Sequence, residues 1–199
     1  MSNRKVSARN LVGAAVLAAI IVVLQVAVSS VRVGPFTITL ALIPIIIGAI
    51  VYGPGAGAGL GAVFGLAVCY AVVTGVDAGG FLMFQEQPAV TLLVCVAKST
   101  VAGLVAGLVN RACERHARPK LGVVLAAILC PICNTGILSV AMVTVFNDLV
   151  SQWAIAAGNA SLIGYVIIGV VGVNFLIELA IDLILVPVIS RILRAVKRV

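Results

Sequence analysis

The run Cys130-Pro131-Ile132-Cys133-Asn134-Thr135 lies in the middle of an apolar segment. It combines two thiols, a proline and two hydrogen-bonding side chains. A Cys-x-x-Cys can hold zinc or exchange disulfides, but zinc takes four ligands. The only histidine, His116, falls in a basic loop, and no second cysteine pair stands near. A thioredoxin-like motif belongs to a soluble βαβ setting, and the segment around Cys130 is not one. The sequence therefore predicts no metal, no redox centre and no cofactor. Cys69, Cys95, Cys113, Cys130 and Cys133 make an odd set, mostly inside apolar runs, and read as small buried hydrophobes rather than a disulfide framework.

Pro131 deprives its helix of a backbone hydrogen bond. Carbonyls near residue 127 must then be satisfied by a side chain, water or a ligand. Asn134 and Thr135 either serve that need or line a pocket, and their clustering beside the proline favours the pocket. Other polar groups recur in apolar surroundings. Lys98 is central in one segment, and Asn174, Glu178 and Asp182 fall at four-residue spacing on one face of another. Two accounts of Lys98 stay open. Either it pairs with Glu178 or Asp182 and ties helices together, or it faces a cavity and meets a carboxylate or phosphate. No Ser/His/Asp set can assemble at one depth, and only Asp182 among the aspartates lies clearly inside an apolar segment. No catalytic residues are expected.

The elements that must position these groups follow from composition. The chain has 199 residues, 63% of them hydrophobic and only 10% charged. A soluble domain is about 25% charged, and no soluble fold of this length could hide so much apolar surface. The expected class is an all-α integral membrane protein forming a single domain over residues 1–199. Segments of about 20 apolar residues can cross a bilayer. The candidates are about 11–28, 37–52 (short, with Pro44 and Gly48), 55–74, 89–110, 121–146 and 162–193. That makes six spans.

Basic residues set the orientation. They cluster at the N-terminus (Arg4, Lys5, Arg9), at 110–120 (Arg111, Arg115, Arg118, Lys120) and at the C-terminus (Arg191, Arg194, Lys197, Arg198). The loops at about 29–36, 75–88 and 147–161 carry one, Arg32, together with Asp77, Glu86 and Asp148. The positive-inside rule then places both termini in the cytoplasm. No basic stripe is interleaved with aromatics, so nucleic acid is not an expected partner. The outer loops mix Phe81, Phe84 and Trp153 with Gln85, Gln87 and Gln152. Such a mixture suits either a small amphipathic solute or an interfacial aromatic belt.

Small residues recur where helices could approach closely. Gly57, Gly61 and Gly65 share one helix face, and Ala14/Ala18 and Ala15/Ala19 interleave on the first segment. The glycines read as helix packing in lipid. The alanines fit internal packing or a docking face for another membrane protein. The non-membrane stretches leave no room for an ATPase.

Taken together, these features resemble the substrate-binding S-components of energy-coupling factor (ECF) vitamin transporters. The similarity runs over nearly the whole chain. It is carried by the Ala14/Ala18 stripe, "ITLALIPIIIGAIVYGPGAGAGLGAVFGL" (38–66), "LVCVAKSTVAGLVAGLV" (93–109), "CPICNTGIL" (130–138) and "VNFLIELAIDLILVPVISRIL" (173–193). The resemblance implies a subunit in a prokaryotic cell membrane that captures a vitamin from outside. It also implies association with a transmembrane coupling protein and two cytoplasmic ATPases. On this basis Lys98, Asn134, Thr135, Asn174, Phe84, Gln85 and Gln87 are expected at the solute, with Ala14, Ala15, Ala18 and Ala19 toward the coupling protein. A cationic Lys98 suits a carboxylate such as that of pantothenate. The competing expectation is a stand-alone secondary transporter or channel using Lys98 and Glu178.

Overall fold

A computed structural model describes residues 8–28, 32–33, 36–37, 39–159 and 161–197. The surroundings of the side chains at 9, 28, 32, 33, 36, 37, 169–171, 173, 174, 189, 190 and 192–197 lie outside the description, and so does most of the expected mouth loop at 29–40. The described chain is overwhelmingly helical. Helix α1 spans Ala8–Val28 and is followed by two short paired strands, β1 (Arg32–Val33) and β2 (Phe36–Thr37), in antiparallel register. Then come α2 (Leu42–Tyr52), α3 (Pro54–Val73), α4 (Ala78–Glu86), α5 (Pro88–Arg115), α6 (Pro119–Thr144) and α7 (Asn147–Ala156). The chain ends with a single turn α8 (Leu162–Gly164), a π-helical stretch (Tyr165–Gly172) and α9 (Val173–Lys197).

Proline explains where the long helices begin. Pro54, Pro88 and Pro119 each open a helix, where the missing N–H has no intrahelical partner to lose. Pro131 lies inside α6 without ending it. Gly53 has φ of 96° and turns the chain from α2 into α3, a conformation that glycine adopts without steric cost.

Four helices among the described residues are long and apolar enough to cross a membrane: α1, α3, α5 and α6. The second expected span is shorter than predicted, because residues 36–37 join the strand pair and α2 begins only at Leu42. The resulting helix has 11 residues. Two stretches read as loops also fold, 75–88 around α4 and 147–161 around α7. Asp77 starts α4, its carboxylate accepting from the Gly80 amide at 2.9 Å.

Helices α3 and α5 form the centre, antiparallel and in close contact. A Cβ at Gly65 would lie 2.6 Å from the Val96 Cα, and one at Gly107 would lie 2.5 Å from the Pro54 Cα. Only glycine permits this approach. The main core joins Ile21 of α1 with Ile45, Ile46, Phe64, Ala102, Ala126 and Cys130. A second cluster, Met83, Met142, Phe146, Val150 and Val166, fills the end where α4, α6 and α7 meet. Outside, Leu93, Val140, Ile168 and Ile184 are exposed, as on a surface that faces lipid.

Candidate functional site

The inward face of α5 runs Thr91, Cys95, Lys98, Ser99, Ala102, Gly103, Ala106, Gly107 and Asn110, all buried. The three- and four-residue steps are those of one helix face. Lys98 is only 8% exposed. It lines a small void of about 30 Å³ with Val68 and Val72 of α3, Asp77, Gly80 and Met83 at α4, Thr91 and Cys95 of α5, and Leu138 of α6. A space of that size admits one water-sized group.

Burial of an ammonium is expensive unless it is paired. Among the described residues, however, no ion pair joins Lys98 to Glu178 or Asp182. Glu178 instead accepts from the backbone N–H of Thr39 at 3.2 Å. Asp182 is 2% exposed, and its Oδ2 has no hydrogen-bond partner. Among the described residues the interior thus holds one buried cation and three buried carboxylates, Asp77, Glu178 and Asp182, and no ion pair ties Lys98 to the last two.

The expected residues divide. Asn134 is buried on α6 and reaches the neighbour of Lys98: its Oδ1 stands 3.5 Å from the Ser99 hydroxyl. That hydroxyl has one hydrogen and a closer acceptor, the Cys95 carbonyl at 3.0 Å. The carboxamide of Asn134 is therefore held only loosely. Thr135 is half-buried one position further round, and its carbonyl accepts from the Ser139 hydroxyl at 2.7 Å. Phe84 packs against the main core and Gln85 is exposed. Gln87 links α4 to α5, its carbonyl accepting from the Thr91 hydroxyl at 2.9 Å. The Asn174 side chain lies outside the described residues. Cys130 is fully buried in the core, and no group of three His, Cys, Asp or Glu able to hold a metal occurs among the described residues.

Three residues of the void escape a motif-led reading of the sequence: Asp77, Met83 and Thr91. Thr91 was accessible by helical spacing, two turns before Lys98 on the same face. Asp77 carries an Asp-x-x-Gly start signal for α4. Met83 becomes visible only once residues 78–86 are known to be helical.

On α1, Ile21 and Gln25 are buried and Ala18 packs against the core. Ala14 is half-buried, whereas Ala15 and Ala19 are exposed. They share the outward side with Val12, Val16, Val23 and Val26.

The described residues form an apolar helical bundle, four of whose helices are long and apolar enough to cross a membrane, with polar groups buried between them. Comparison with protein families makes this specific. Residues 9–190 match the family described as ECF transporter, substrate-specific component, and the chain belongs to that family. Its members are substrate-binding subunits of transporters and not enzymes. No curated protein matches the chain.

Proposed function

We propose that this chain captures a small carboxylate-bearing vitamin, pantothenate being the best candidate, at Lys98. The observation that carries the reading is the buried Lys98 ammonium. It has no ion-pair partner among the described residues and it borders a void beneath α4. A buried ammonium gains most from an anion that brings its own charge. Asn134, and Asn174 on the family resemblance, add hydrogen-bonding capacity. Phe84, Gln85 and Gln87 belong to the segment that covers the chamber, and Thr135 is assigned to the solute on the family resemblance. A vitamin requires a pocket of several hundred Å³. Entry therefore demands that α4 withdraw from α3 and α5, carrying Met83 with it.

In this reading the chain crosses the cell membrane of a prokaryote six times, with both termini in the cytoplasm. The basic residues at 111–120 support the orientation, since Gly107 packs on Pro54 and both inner turns share one end of the bundle. In this reading a transmembrane coupling protein with two cytoplasmic ATPases, docked on the small-residue side of α1 at Ala14, Ala15, Ala18 and Ala19, energises transport. The test is mass spectrometry of the solute that co-purifies with the detergent-solubilised chain. A carboxylate-bearing vitamin, lost in Lys98→Met, is expected. A solute without an anionic group, or one retained by Lys98→Met, overturns the assignment.

A further inference from the structure

The opposite end of α5 holds a second polar feature. A cleft of about 630 Å³ opens between the α2–α3 turn and the last turns of α5, lined in part by Gly53, Gly55, Asn110, Arg111, Glu114 and Arg115. Asn110 lies 12 residues beyond Lys98, roughly 18 Å along the helix, so this cleft is separate from the solute chamber.

Three observations converge there. Asn110 is only 3% exposed, yet its side chain has no hydrogen-bond partner among the described residues. The start of α3 has no side-chain cap, so the early amides of a 20-residue helix remain available, with the positive end of its dipole. No side chain covers Gly53 or Gly55: a Cβ on either would find nothing within 4 Å. Arg111 and Arg115, one turn apart, supply two guanidinium groups on the same rim. Glu114, the carboxylate on this rim, is itself engaged in an interaction.

We propose that this cleft binds a phosphate group, held by Arg111, Arg115, the Asn110 carboxamide and the open amides of α3. The planar forks of two arginines match phosphate oxygens, and an uncapped helix start favours the same charge. The phosphate can come from an anionic lipid headgroup or from free phosphate.

The experiment uses the full chain in detergent. Retention of phosphatidylglycerol against phosphatidylcholine is read by native mass spectrometry, and binding of inorganic phosphate by broadening of its phosphorus resonance. Arg111→Gln/Arg115→Gln is expected to lower binding by roughly tenfold or more, as for a lost charge-assisted contact. Arg118→Gln/Lys120→Gln removes the same charge outside the cleft and is expected to leave binding unchanged. Asn110→Leu follows the first pair, and if it fails to fold, the two surface doubles still decide. Loss of phosphatidylglycerol without any effect of inorganic phosphate assigns the lipid source; displacement by inorganic phosphate assigns the free ion. Equal loss in both doubles reduces the effect to net charge and overturns the site. So does the absence of any preference in the unaltered chain. None of these readouts depends on the vitamin, so this inference and the proposed function stand or fall separately.

Discussion

Gly57 of α3 and Gly103 of α5 face each other so closely that neither can carry a side chain: a Cβ on either would run into the other's carbonyl oxygen. The contact is reciprocal and involves backbone on both sides, so no rotamer change relieves it. It also fixes the rotation of α5, and with it the inward aim of Lys98. Gly57→Val is therefore expected to destabilise the bundle by about 1–3 kcal/mol, the usual effect of overpacking. Gly59→Ala, two residues away where a Cβ meets nothing within 4 Å, is expected to be neutral or slightly stabilising. Midpoints of thermal unfolding in detergent check the pair. Equal midpoints for the two variants would show that α3 and α5 do not meet in this register.

Lys98 separates a structural tie from a solute contact. Lys98→Met keeps the length of the stem and removes the charge. Because no ion pair joins Lys98 to Glu178 or Asp182 among the described residues, Met is expected to leave the unfolding midpoint unchanged or raised. Affinity for the co-purifying solute is expected to fall roughly ten- to hundredfold, the loss of one hydrogen bond to a charged group. A lower midpoint with unchanged affinity would make Lys98 a helix tie instead.

The sequence and the structure agree most closely where the physics is local. The apolar runs at about 11–28, 55–74, 89–110 and 121–146 coincide with helices long and apolar enough to cross a membrane, although α5 continues to Arg115, and prolines open three of these helices. Lys98 and Asn134 stand out in the sequence as polar groups inside apolar runs, and the structure buries both, with the Asn134 carboxamide against Ser99 rather than on the void that Lys98 borders. What escaped depends on tertiary context. Residues 78–86 are mixed in polarity and too short to announce a helix, and only packing against α3 shows that α4 covers Lys98. Gly80 makes the point: a Cβ there would lie 2.5 Å from a Val72 methyl. Helix α2 begins later than a span over 37–52 requires, because Phe36 and Thr37 pair as a strand and the helix starts only at Leu42. The exposed and buried alanines of α1 cannot be told apart by composition, since all four are the same residue.

Asp77 links the cover helix to the chamber. Its carboxylate caps α4 through the Gly80 amide and lines the void beside Lys98. Asp77→Ala removes the cap, which is expected to weaken α4 by about 0.5–2 kcal/mol. Asp77→Asn retains a good capping side chain and deletes only the charge. If Asp77 acts through α4, Asn preserves solute affinity and Ala lowers it. Hydrogen exchange at residues 80–86 should rise in Ala alone. Matching losses in both variants would mean that the negative charge itself, rather than the cap, serves the site.

The exposure of α1 decides which alanines can be tested cleanly. Ala18 packs against the main core, so a bulky side chain there disturbs the fold and any partner together. Ala15 and Ala19 are exposed and one turn apart, and a leucine at each adds volume only to the outer surface. If the coupling protein docks on this side, Ala15→Leu/Ala19→Leu should leave the unfolding midpoint and solute affinity unchanged. Uptake by cells expressing the complete transporter should fall at least roughly tenfold, because close helix approach in lipid depends on small residues. Val12→Ala/Val16→Ala on the same outward side trims bulk without adding any and should retain uptake. Normal transport by the leucine double variant, with the energising subunits present, would place the docking surface elsewhere on the bundle.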